Sequence, residues 1–160
     1  MSRVLVTGGA GFMGSQLVRT LSGSGWDVVV LDKLTYAGNR AFLDGVKHTF
    51  IEGDVCDPVA VAAAMSDVDA VVHMAAESHV ARSLHTPDAF LQTNIYGTRV
   101  MLDAAVRAGI DRFIHISTDE VFGQAPHGVA FGPEAPMRPG NAYAASKVGA
   151  EALVHAWRHT

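Results

Sequence analysis

The sequence predicts an α/β fold, a doubly wound parallel sheet with helices on both faces, and three observations carry that expectation. A β-branched and apolar run, Val4-Leu5-Val6-Thr7, stops at a glycine-dense turn, Gly8-Gly9-Ala10-Gly11-Phe12-Met13-Gly14, and a helical pattern follows through Leu21. Strand-like and helical patterns then alternate in the order βαβαβαβαβα, which demands parallel strands joined by right-handed helical crossovers. The run Val28-Val29-Val30-Leu31 is continuously apolar, as a strand buried on both faces should be.

The frame Gly9-x-Gly11-x-x-Gly14, placed between a strand and a helix, fits the dinucleotide fingerprint, and Gly8 supplies a second frame. The early glycines permit a tight reversal, Gly11 lets a pyrophosphate approach the backbone, and Gly14 lets the helix lie close to the strand. The helix N-terminus then offers free N–H groups to the phosphates. A second strand over residues 26–31 ends in Asp32, 18 residues after Gly14, close to the spacing of a carboxylate that holds a cofactor ribose. That carboxylate favours NAD over NADP, although Lys33 and Arg40 lie nearby. These features make residues 1–160 a Rossmann-type dinucleotide-binding domain.

The remaining elements follow in order. A polar loop over residues 32–39 can receive an adenosine. Residues 48–51 read as a third strand, followed by Glu52-Gly53-Asp54-Val55. Asp57 caps a helix over 58–65 with Pro58 at its first position. Residues 69–74 form a fourth strand, 87–108 a long helix ending at Gly109, and 112–117 a fifth strand. A loop over 123–140 holds four prolines, and a last helix spans 142–157. Ligands of such sheets bind beyond the carboxyl ends of the strands. Residues 8–14, 32–38, 54–55, 75–78 and 117–121 therefore share one rim, where Ala75 and Ala76 are small enough for a nicotinamide or ribose to lie against the backbone.

Composition narrows the function classes. The 160 residues are 49% hydrophobic and 18% charged, with a net charge of −4, which suits one globular domain. No basic run is present, so nucleic acid is not an expected partner. A lone cysteine, Cys56, fits a reducing, cytoplasmic compartment. No apolar run approaches the ~20 residues of a membrane span, and the first strand begins too early for a signal peptide. His73, His79 and His85 lack ligand spacing, so no metal is expected.

Two clusters carry chemistry. Tyr143 and Lys147, four residues apart on a helix, share one face. An ammonium beside a tyrosine favours the phenolate and makes it a usable base. Ser117-Thr118-Asp119-Glu120-Val121 ends the fifth strand. On residues alone, Asp119 and Glu120 are either an acid and a base separated by environment or a solvated acidic turn that caps the next segment.

These blocks, with Asp32-Lys33-Leu34-Thr35-Tyr36-Ala37-Gly38-Asn39, His73-Met74-Ala75-Ala76-Glu77-Ser78-His79-Val80 and Thr93-Asn94-Ile95-Tyr96-Gly97-Thr98, resemble the extended short-chain dehydrogenases/reductases, and within them the dTDP-glucose 4,6-dehydratases. The resemblance runs the whole length of the chain. It implies a lyase that removes water from a nucleotide sugar, with hydride passed to NAD and back within one turnover. It implies cofactor contacts from Gly8, Gly11, Phe12, Met13, Gly14, Asp32, Lys33, Leu34, Thr35, Gly38, Asp54, Val55, Met74, Ala75, Ala76, Ser78, Thr93, Tyr143 and Lys147. Ser78 and Thr118 would touch the sugar. Thr118, Asp119, Glu120, Tyr143 and Lys147 would be catalytic: Asp119 as proton donor and Glu120 as proton acceptor in the elimination, Tyr143 as base for oxidation, and Lys147 as its support.

Phe122 departs from an expected tyrosine, and Ala81 from an expected aspartate whose loss should loosen the loop before Arg82. Members of the family run about twice this length, so the chain is expected to be the cofactor half of a longer enzyme. A nucleotide-sugar 4-epimerase or decarboxylase, which differs at Asp119, and a non-catalytic NAD-binding fragment are the alternatives. The resemblance also implies a homodimer through the helices over 87–108 and 142–157, with Phe90, Met101 and Ala105 as a second apolar face beside Leu91, Ile95, Leu102 and Val106.

Overall fold

The computed structural model describes residues 2–158. Its centre is a five-stranded parallel sheet in the order β3-β2-β1-β4-β5, built from β1 (Arg3–Thr7), β2 (Asp27–Asp32), β3 (Thr49–Glu52), β4 (Ala70–His73) and β5 (Phe113–His115). The helices are α1 (Phe12–Gly23), α2 (Pro58–Ala64), α3 (Val80–Ser83), α4 (Pro87–Phe90), α5 (Thr98–Ala108) and α6 (Ala142–Trp157). The predicted parallel sheet is observed, and the predicted alternation holds except between β2 and β3, which among the described residues are joined by a 3-10 turn rather than an α-helix.

Period-two alternation along the inner strands builds a core on each face of the sheet. Leu5, Val29, Leu31 and Val71 pack on one face with Val61 of α2 and Val100, Met101 and Ala105 of α5. Val4, Val6, Val28, Val30 and Val72 pack on the other with Val18 of α1 and Leu43. Each such side chain contributes roughly 1.5–3 kcal/mol on full burial. Register aligns the strand ends: Thr7 lies beside Leu31 and His73, and His73 beside His115. The carboxyl ends of β1, β4 and β5 therefore open onto one rim.

Three short elements lie where only loops were expected. A 3-10 turn over Arg40–Leu43 is capped by Asn39, whose Oδ1 accepts from Ala41 N at 3.0 Å. A second, Asp119–Phe122, starts from Thr118, whose Oγ1 accepts from Glu120 N at 3.3 Å. The third is α3. Its Arg82 lies over the Tyr36 ring at 4.1 Å and 3.7 Å from the Glu77 carboxylate, contacts that hold the segment next to Ala81. Phe122 meets the Phe131 ring at 6.2 Å.

The helix expected over residues 87–108 is helical throughout but not uniform. A π-helical segment, Leu91–Gly97, joins α4 to α5. The buried positions Phe90, Asn94, Thr98, Met101 and Ala105 recur at helical spacing across this segment, and they correct the assignment of the apolar faces. Phe90 and Met101 are 0% exposed and Ala105 is 4%, all within the chain, whereas Leu91 and Val106 are 46% and 49% exposed. Met101 is core, and a charge there would probe folding rather than association.

Candidate active site

The glycine turn is a close-packed cradle. Gly8 has φ +69°, and its N–H donates to Leu31 O at 2.9 Å. A Cβ on Gly14 would lie 2.1 Å from Gly8 O, and one on Gly8 would lie 2.8 Å from the Ala75 backbone. A Cβ on Gly11 would meet Gly8 O at 3.3 Å. Helix α1 starts at Gly11 with no side-chain cap and no acidic residue in its first turn, so its free N–H groups face the rim uncompensated. That is the chemistry a pyrophosphate needs. Phe12 and Met13, 86% and 66% exposed, flank it as apolar walls.

The turn opens into a cleft of about 710 Å³. Gly8, Gly11, Phe12, Met13, Gly14, Asp32, Lys33, Thr35, Gly38, Asp54 and Val55 line it from beyond the ends of β1, β2 and β3. Met74, Ala75, Ala76, Ser78, Thr93, Thr118, Asp119, Tyr143 and Lys147 line it from beyond β4 and β5, the π-helical segment and α6. Two expected residues fall outside this lining. Leu34 turns its side chain into the core on the α1 face, and its N–H donates to Asp32 Oδ1 at 2.8 Å. Glu120 lies beside the cleft, where Asn141 Nδ2 donates to its Oε2 at 2.8 Å. Ala37, Glu77 and Ser117 also line the cleft, within the stretches 32–38, 75–78 and 117–121 expected on this rim, and Leu31, Gly53 and Ile116 line it beyond those stretches.

Charges at the ends of β2 and β3 are already engaged. Asp32 accepts from Ala10 N at 2.9 Å and from Leu34 N, which spends two of its roughly four lone-pair positions and leaves others for ribose hydroxyls. Lys33 Nζ donates to Asp54 Oδ2 at 2.5 Å. That bond raises the lysine above its ordinary value. Burial pushes the Asp54 carboxyl up, but the bonds from Lys33 and from Cys56 N outweigh it and hold the carboxyl low. The Arg40 guanidinium sits 4.2 Å over the Phe50 ring. Neither cation is thus poised for a 2′-phosphate, and NAD is expected to bind the full protein at least about tenfold tighter than NADP. Parallel titrations check this; equal affinities would contradict it.

Across the cleft, α6 is capped by Asn141, whose Oδ1 accepts from Ala144 N at 2.8 Å. The helix carries Tyr143 and Lys147 into the same cleft one turn apart. Lys147 is 3% exposed. Its Nζ donates to Ile116 O at 2.5 Å and to His115 Nε2 at 3.4 Å. Burial pulls its ammonium down to about 8, partly opposed by Glu151. The π-helical segment turns Asn94 inward, where it accepts from Glu77 N and donates to Glu77 O and Ser146 Oγ. This ties the loop bearing Ser78 to α6.

A glycine cradle at a strand end, a carboxylate at the end of β2 and a Tyr–Lys pair around one cleft fit a dinucleotide-binding domain of the doubly wound class. The chain belongs to the NAD dependent epimerase/dehydratase family, whose model matches residues 4–160. It is 49% identical to the low-salt glycan biosynthesis protein Agl12 of Haloferax volcanii over 98% of this chain and 52% of that protein. It is 48% identical to a dTDP-glucose 4,6-dehydratase of Streptomyces niveus over 99% of this chain and 50% of that enzyme. The crystal structure of the dTDP-glucose 4,6-dehydratase DesIV from Streptomyces venezuelae, with NAD bound, superimposes with a TM-score of 0.94 at 45% identity, covering 99% of this chain and 52% of that one. The chain spans about half the length of these relatives. The family's cofactor is NAD, and the cleft fits it. No described helix is long and apolar enough to cross a membrane, and no group of potential metal ligands occurs among the described residues.

Proposed function

We propose that the full protein is a nucleoside-diphosphate-hexose 4,6-dehydratase that converts dTDP-glucose to its 4-keto-6-deoxy derivative with loss of water, and that residues 1–160 serve as its dinucleotide-binding domain. The observation that carries this reading is Asp119 in the same cleft as Tyr143 and Lys147, with Glu120 adjoining. A redox base and an elimination pair then act on one sugar. Tyr143, its phenolate favoured by the Lys147 ammonium, takes the proton of the sugar 4-hydroxyl. Bound NAD supplies the hydride acceptor for C4 and the hydride donor for C6. Glu120 removes the C5 proton, which the 4-ketone acidifies, and Asp119 protonates the departing 6-hydroxyl. Glu120 then returns a proton to C5. Ser78 and Thr118 line the cleft where the sugar would lie.

Mass spectrometry of the full protein with dTDP-glucose tests this, and a product lighter by one water is expected. Inversion at C4 without mass change supports the 4-epimerase reading instead. The lone Cys56 supports a cytoplasmic location.

A homodimer through the helical rod from Pro87 and the Tyr143 helix remains part of this proposal. It now rests on half-exposed Leu91 and Val106. Light scattering should give twice the monomer mass, and Val106→Glu should lower it with an unchanged melting temperature. A monomeric wild type contradicts the pairing.

A further inference from the structure

Beneath the rim, β4 and β5 bring two imidazoles together, His73 and His115, with ring centroids 5.4 Å apart. The hydrogen bonds fix how His73 carries its proton. Thr7 Oγ1 accepts from Met74 N and Ala75 N, both at 3.1 Å, so its own hydrogen goes to His73 Nδ1 at 2.7 Å. His73 Nε2 therefore bears the hydrogen and donates to Thr98 Oγ1 at 3.0 Å, and Thr98 donates onward to Asn94 O at 2.6 Å. Both nitrogens of His73 are committed, and none is left for its neighbour.

Among the described residues, the hydrogen-bond partner of His115 is Lys147 Nζ. An ammonium only donates, so His115 Nε2 accepts and Nδ1 carries the hydrogen. That Nδ1 is buried and has no hydrogen-bond partner among the described residues. A buried N–H without a partner is costly, and an aromatic ring without nitrogen would fill the place without that cost. What the imidazole adds is the Nε2 lone pair offered to Lys147.

We propose that His115 is a positioning residue for the proposed catalytic centre: its Nε2, with Ile116 O, takes two of the three Lys147 N–H donors and leaves the third for the cleft. The groups around it are compatible. Burial, and then the Lys147 charge, bring His115 down to about 4, so the ring is neutral wherever the enzyme works. Glu151, on the same face of α6, is engaged by the Ser117 hydroxyl. Asp111, His155 and Arg158 line the groove beyond. His73, buried fully and neutral, adds no charge.

The inference rests on the proposed reaction only through the assay. In the full holoenzyme, the alkaline limb of kcat reports loss of the Lys147 proton. His115→Phe withdraws an acceptor from the charged form, so that limb moves to lower pH, and each unit of movement lowers the rate about tenfold above it. His115→Gln, whose carbonyl oxygen can stand in for Nε2, restores the limb. An unmoved limb in His115→Phe, or a loss shared equally by both variants at every pH, overturns the proposal. The ring of the wild-type holoenzyme gives an answer that needs no variant and no substrate. Nitrogen-15 NMR should show His115 as the Nδ1–H tautomer, and an Nε2–H tautomer overturns the proposal. A wild type inactive on dTDP-glucose contradicts the function and leaves the tautomer to decide this inference.

Discussion

Gly14→Ala should abolish cofactor binding and leave the fold barely stable. The new Cβ would lie 2.1 Å from Gly8 O and 2.9 Å from both Gly8 C and Gly9 Cα. All three are backbone atoms, so no rotamer relieves the contact and α1 must move away from β1. Overpacking of this kind costs about 3 kcal/mol or more. In a domain of this size that lowers the melting temperature by roughly 10 °C. The displaced helix N-terminus would no longer aim its N–H groups at a pyrophosphate. Two companions sharpen the test. Gly11→Ala, where only Gly8 O comes near, should keep the melting temperature and lose NAD affinity. Gly23→Ala, with nothing within 4 Å, should change neither. Circular dichroism melts and NAD titration read all three, and a stable, NAD-binding Gly14→Ala protein would contradict this packing.

Asp119→Asn and Glu120→Gln should each slow dehydration by about 10²–10⁴-fold while NAD affinity stays unchanged. The two variants separate by proton. Asp119 lines the cleft, and its loss should block departure of the 6-hydroxyl. Glu120 accepts from Asn141, and its loss should stop solvent deuterium from entering C5. Asn141 also caps α6, so Asn141→Ala should slow the same step and cost about 1 kcal/mol of stability. Wild-type turnover in both carboxylate variants would remove the dehydratase assignment.

Local spacing in the sequence carried much of this. The glycine frame, Asp32 after β2 and the Tyr143–Lys147 pair are each written within one or two turns of chain, and the structure assembles all of them at one cleft. The long helix showed the limit. Its residues offered two apolar stripes, and spacing alone did not say which one faces the core: Phe90, Met101 and Ala105 are buried, while Leu91 and Val106 are half exposed. The Thr7–His73–Thr98 chain joins residues 66 and 25 positions apart, so it depends on strand register and was not legible. Gly53 and Ile116 line the cleft outside the stretches expected on the rim. Leu34, inside the loop motif, packs its side chain against the core while its N–H donates to Asp32, a split between side chain and backbone that spacing does not encode.

The central claim is that one cleft both oxidises C4 and eliminates water across C5 and C6, and the fate of the C4 hydrogen tests it most directly. The full protein is supplied with dTDP-glucose carrying deuterium at C4, and the product is analysed by NMR. A 4-keto-6-deoxy sugar with that deuterium on its C6 methyl group is the predicted result. Deuterium still at C4 of an inverted, fully hydroxylated sugar would contradict it.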